Sequence, residues 1–169
     1  MRLRGAKAGV AMALAAMLLA GCSSVGGPGA FGGPARPLKV AELPNIGDYT
    51  AERALSEAKG HFRNGNFGHS AALYKRTVEL QPGNAQAYAG LAASYDRLRR
   101  FDLSDRVYAS LHELTGGTAQ YYNNVGYSYL LRGNTQAALT NFRKASQLDP
   151  DNVVVANNIQ ILANAATLS

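Results

Sequence analysis

Residues 85–118, AQAYAGLAASYDRLRRFDLSDRVYASLHELTGGT, and residues 119–152, AQYYNNVGYSYLLRGNTQAALTNFRKASQLDPDN, decide the fold. Laid under residues 51–84, AERALSEAKGHFRNGNFGHSAALYKRTVELQPGN, they give three copies with a period of 34 residues. A fixed period of that length signals a stack of helical hairpins, in which each unit buries its apolar side against the next. With Ala51, Ala85 and Ala119 as position 1, small residues fall at position 8 (Ala58, Ala92, Gly126) and position 20 (Ser70, Ser104, Ala138). Bulk there would force the two helices of a hairpin apart. Position 24 is aromatic in every copy (Tyr74, Tyr108, Phe142). Position 4 (Ala54, Tyr88, Tyr122), position 11 (His61, Tyr95, Tyr129) and position 30 (Leu80, Leu114, Leu148) are expected to fill the spaces between helices.

Helix ends repeat with the same spacing. Thr50, Asn84, Thr118 and Asn152 stand one period apart, each able to accept a hydrogen bond from the free amides of the following helix. Gly65-Asn66 and Gly133-Asn134 mark the turn inside copies one and three, where a left-handed residue ends a helix at little cost. Pro82 and Pro150 stop the second helices. Copy two departs, with Arg99-Arg100 at its inner turn and Gly116-Gly117 where the others have proline. Beyond Asn152, Val155, Ile159, Leu162 and Ala166 recur at helical spacing, so residues 153–166 read as a capping helix.

The three copies resemble the tetratricopeptide repeat. The resemblance implies an all-α, right-handed α-solenoid over residues 50–169, with repeats at 51–84, 85–118 and 119–152 and the cap behind them. It also implies that positions 2, 5, 6, 9, 12 and 13 of each first helix line a concave groove. Those positions hold Lys59, Phe62 and Arg63 in repeat one, and Gln86, Ala89, Ala93 and Arg97 in repeat two. Repeat three gives Gln120, Asn123, Asn124, Tyr127 and Leu131, and the cap gives Asn157, Asn158 and Ile161. Asn124 and Asn158 both occupy position 6, and an asparagine amide offers the donor and the acceptor that a peptide group needs. An extended peptide is therefore expected along this ladder, with Tyr127 and Ile161 packing on its side chains and Arg97 facing a carboxylate.

The first fifty residues read differently. Arg2, Arg4 and Lys7 precede an uncharged run from Ala8 to Ala20, which is shorter than the roughly 20 residues a membrane span requires. The run closes on Leu19-Ala20-Gly21-Cys22, which resembles the lipobox of bacterial lipoproteins: residues 1–21 become a signal peptide and Cys22 the acylated first residue. Several acyl chains at roughly 0.8 kcal/mol per buried methylene give stable anchoring. Ser23, in place of aspartate, points to the periplasmic face of the outer membrane. Glycine and proline crowd residues 22–49, which are expected to form a disordered tether with a reach of about 25 to 30 Å.

Composition excludes other classes. The 17 lysines and arginines exceed 11 aspartates and glutamates, but Arg2, Arg4 and Lys7 lie in the expected signal peptide and the rest are dispersed, which argues against nucleic acid. With a single cysteine there is no internal disulfide. His61, His69 and His112 have no accompanying nucleophile, carboxylate pair or metal spacing, so no catalytic residue, metal or cofactor is expected beyond the lipid on Cys22. Lipobox, tether and three repeats together resemble the TadD-like tetratricopeptide lipoproteins of the tight-adherence (Flp) pilus assembly system. That resemblance implies a protein-binding helper of an outer-membrane secretin. Adaptors that dock peptidoglycan hydrolases, and docking factors for outer-membrane protein insertion, share the same build.

Overall fold

A computed structural model describes residues 37–167. The expected signal peptide, Cys22, Ser23 and the tether up to residue 36 lie outside the described residues. Seven α-helices follow one another: α1 (Ala51–Arg63), α2 (Phe67–Leu80), α3 (Ala85–Arg97), α4 (Phe101–Thr115), α5 (Ala119–Leu131), α6 (Thr135–Leu148) and α7 (Val153–Thr167). Helices α1 and α2, α3 and α4, and α5 and α6 pack as hairpins, α1 touches α3, α3 touches α5, and α7 closes against α6. One layer, α1, α3 and α5, therefore forms a continuous face.

The caps fall where the period puts them. Thr50 Oγ1 accepts from the Arg53 amide at 3.3 Å, Asn84 Oδ1 from Ala87 at 3.0 Å, Thr118 Oγ1 from Tyr121 at 3.1 Å and Asn152 Oδ1 from Val155 at 3.2 Å. The small residues at positions 8 and 20 are fully buried, and the Ser70 hydroxyl donates to the carbonyl of Ala58 at 3.0 Å. At Gly126 a Cβ would stand 2.6 Å from the Phe142 ring, which is why the third copy has glycine where the others have alanine.

Two expectations are corrected. Residues 37–49, assigned to the tether, pack on the first hairpin and the end of α3. The Leu38 amide donates to Leu98 O (2.9 Å) and the Ala41 amide to Gly68 O (3.2 Å), while Val40, Leu43, Ile46 and Tyr49 lie against the core. Gly68 makes this possible, since a Cβ there would come within 3.0 Å of the Lys39 carbonyl. The segment ends in a short 3-10 helix, Ile46–Asp48, held by Arg76 donating to Gly47 O at 2.7 Å. Second, the position-30 leucines do not fill the core: Leu80, Leu114 and Leu148 are 40%, 42% and 53% exposed. They sit at the ends of the second helices.

The inner turn of repeat two carries strain. Gly65 and Gly133 have φ of 75° and 78°, and the residue between them in register, Arg99, adopts φ 58°. A side chain in that region costs about 1 to 2 kcal/mol. Arg99→Gly is expected to raise stability by about 0.5 to 1 kcal/mol in chemical denaturation, the strain relieved being partly offset by a freer unfolded chain. A loss of stability would show that contacts of the arginine outweigh the strain.

Candidate functional site

The concave face is built by the first helices. A depression of about 310 Å³ lies across α1, α3, α5 and α7, lined by Phe62, Arg97, Asn123, Asn124, Tyr127 and Asn158, with Ala93, Asp96, Tyr108 and Val154 completing it. A second, of about 350 Å³, continues toward α1 past Lys59, Gln86, Gln120 and again Asn124. The structure thus gathers Lys59, Gln86, Arg97, Gln120, Asn123, Asn124, Tyr127 and Asn158 along one groove. Arg63, Asn157 and Ile161 stand outside both depressions. Ile161 and Val154 are exposed on α7, 46% and 55%, and with Tyr127 they give this end of the face its apolar character.

The asparagines divide into two kinds. Asn158 Nδ2 donates to Asn123 Oδ1 at 2.8 Å, so these two join α7 to α5. Asn124 lines both depressions and a third between α3, α4 and α5. The ladder cannot extend into repeat two. Position 6 there is Gly90, and a Cβ on it would lie 2.3 Å from the Tyr74 ring, so that ring forms the groove floor. Cations flank the other end. Arg97 lies over the Phe67 ring at 4.3 Å, and Phe67 meets Phe62 edge to face at 5.3 Å.

Beneath the groove lies a group the sequence reading passed over. Asp96, position 12 of repeat two, is 3% exposed. Ser128 donates to its Oδ1 at 2.7 Å and Tyr108 to its Oδ2 at 3.0 Å, and Arg132 approaches to 4.0 Å. Arg132 also bonds Ser128, at 2.9 Å, and pairs with Asp105. Burial pushes the Asp96 carboxyl above the usual carboxylate range, against the lowering effect of its hydroxyl donors and Arg132. The same burial, with Asp96 beside it, raises the Tyr108 phenol well above its ordinary value.

Histidines take no part. His61 stacks on His69 with ring centroids 5.1 Å apart, and His112 packs edge-on against Tyr121 at 5.0 Å. Among the described residues no cluster of three or more potential ligands could hold a metal ion.

This architecture is a tetratricopeptide-repeat α-solenoid. Residues 119–152 match the family profile of the tetratricopeptide repeat. The chain is similar to the first tetratricopeptide domain of human RPAP3, with TM-score 0.61 at 17% identity over 69% of this chain and 92% of that one. It is similar also to the tetratricopeptide domain of Arabidopsis OM64, with TM-score 0.58 at 18% identity over 70% of this chain and 97% of that one. A structure of the first such domain of Spaghetti (RPAP3), bound to the HSP90 peptide SRMEEVD, has TM-score 0.58 at 17% identity, covering 69% of this chain and 93% of that one. RNA polymerase II-associated protein 3 of Xenopus laevis is 26% identical over 112 residues, 64% of this chain. The match spans only 17% of that relative's length.

Replacing Asp96 by alanine removes the acceptor of the Ser128 hydroxyl, leaves Tyr108 only the Asn124 carbonyl at 3.3 Å, and is expected to cost about 2 to 4 kcal/mol. Because the folded carboxyl binds its proton more tightly than the unfolded one, Asp96 contributes a stability that declines as pH rises from the ordinary carboxylate range through the folded value. Denaturation of the wild type and Asp96→Asn across that window should show the decline only in the wild type. Equal pH slopes would contradict the reading.

Proposed function

We propose that this chain is a protein-binding scaffold, held at the periplasmic face of the outer membrane by acylated Cys22, that grips an extended segment of a client protein in its concave groove. The observation that carries the reading is Asn124, which lines both depressions of the concave face and the one beside them between α3, α4 and α5. A donor and acceptor at that point suit the backbone of an extended peptide. Tyr127 and Val154 offer apolar contact on one side, and Lys59 and Arg97 favour an acidic residue on the other. The structural relative bound to an HSP90 peptide supports peptide capture as the use of such a groove. The role is one of binding, with no chemistry and no cofactor.

The client is an outer-membrane secretin or another component of pilus assembly. Support for it comes from the lipobox at residues 19–22 and from the likeness of the whole arrangement to the tight-adherence lipoproteins.

Pull-down of the lipidated protein from detergent-solubilised membranes, with partners identified by mass spectrometry, tests both levels. A secretin recovered with the native protein and lost with Asn124→Ala is the expected result, with affinity reduced by about 1 to 2 kcal/mol, the scale of a lost hydrogen bond. Recovery of peptidoglycan hydrolases would replace the secretin by a cell-wall client and leave the groove intact. Undiminished capture by a folded Asn124→Ala variant would remove the groove.

A further inference from the structure

The turns after α1, α3 and α5 form one rim of the solenoid, and that rim collects cations. Arg99 and Arg132 both approach the Phe101 ring, at 5.6 and 4.7 Å, and Arg97 covers Phe67. Arg100 adjoins them, and Lys39 is brought to the same rim by the bond from Leu38 to Leu98. Against these five stand Asp102, paired with Arg100, Asp105, paired with Arg132, and the buried Asp96, 4.0 Å from Arg132. The opposite rim, residues 81–84, 116–118 and 149–152, has Asp149 and Asp151 and neither lysine nor arginine. Arg99 is held at a left-handed φ where its two counterparts are glycine, and a strained residue that persists is grounds for a functional hypothesis.

We propose that this rim lies against the phosphates of an anionic lipid surface. The occupant follows from where the chain leaves the domain. Leu38 is tied to Leu98 at this rim, so the chain that precedes it reaches the domain from that side. Residues 23–36 would span at most about 50 Å when fully extended. An anchor at Cys22, the reading on which this proposal rests, therefore tethers the domain from the side of its basic rim, the acidic rim lying about 20 Å away across the length of the helices, and the charge of the basic rim sets which one faces the bilayer. Anionic headgroups attract clustered arginines within a Debye length, so anchor and rim act in the same direction. The helices then stand across the membrane plane, and the groove, which runs from α1 to α7, lies along it.

Sedimentation with vesicles tests the rim without the lipid. The mature chain from residue 22, carrying Cys22→Ser, is mixed with phosphatidylethanolamine vesicles containing phosphatidylglycerol, or with phosphatidylcholine vesicles, at low and high salt. Binding to the anionic vesicles alone, released by salt, is expected. Arg99→Gly with Arg100→Asn should weaken it about tenfold or more. Arg143→Gln with Lys144→Gln, which removes the same charge from α6, should leave it within about twofold. Equal weakening by both pairs, or no preference for anionic vesicles, overturns the proposal. So does arginine-dependent binding of polyglutamate without vesicle binding, which would make the rim a dock for an acidic protein. Incorporation of a palmitate analogue at Cys22 in cells reads the anchor separately: label without vesicle affinity defeats the rim alone, and vesicle affinity without label defeats the anchor alone.

Discussion

Asp96 is buried where repeats two and three meet, and the hydroxyls of Tyr108 and Ser128 that satisfy it come from the two sides of that junction. Helix α2 packs broadly on α3, whereas α4 meets α5 much more sparingly, after the Gly116-Gly117 turn. The apolar core reflects this. One cluster spans the first hairpin and α3, while Leu130, Ala138, Phe142 and Leu162 form another in the third hairpin and the cap. Between them lies a small cluster around Tyr108 and Leu111, reinforced by the edge-on contact of Tyr108 with Tyr121 at 6.3 Å. The polar clamp thus supplies much of what joins the halves, and a satisfied network in a low-dielectric site is rigid because every member is costly to unpair. The groove crosses this same junction, with Arg97 on one side and Asn124 and Tyr127 on the other.

Close helix approach sets the remaining geometry. Ser70 and Ser94 bond to each other at 3.0 Å, and one period later Ser104 and Ser128 are bridged through Arg132. The junction chemistry is therefore a periodic theme, to which Asp96 and Arg132 add charge in the second instance. Where an aromatic from the second helix reaches the concave face, as Tyr74 does over Gly90, the face loses a polar side chain. The groove is consequently graded, from a cationic and aromatic end near α1 to an amide and apolar end at α7.

Features fixed by local periodicity were legible in the sequence. Caps and small contact positions depend on a residue and its neighbours within one hairpin, the position-24 aromatics recur with the same period, and all fell in register. What escaped depended on contacts that no period encodes. Val40, Leu43 and Ile46 sit among glycines and prolines with no helical spacing, and they dock because Gly68 admits their backbone. Asp96 could have been noticed, since position 12 is Phe62 and Leu130 in the other repeats and a carboxylate among them needs partners. The leucines at position 30 looked like core by composition, but their depth depends on where each helix ends. In the ladder, Asn158 could not be assigned to Asn123 from spacing alone, because that bond runs between helices.

The central claim is that a client segment occupies the concave face across the Asp96 junction. Side-chain amide, aromatic and leucine methyl NMR signals of the full mature chain, followed while a segment of the client is added, address it directly. Gln86, Gln120, Asn124 and Tyr127 are expected to shift together with one affinity, while Leu80, Leu114 and Leu148, at the ends of the second helices, stay unmoved. Shifts confined to those leucines, or to one side of the junction only, would contradict it.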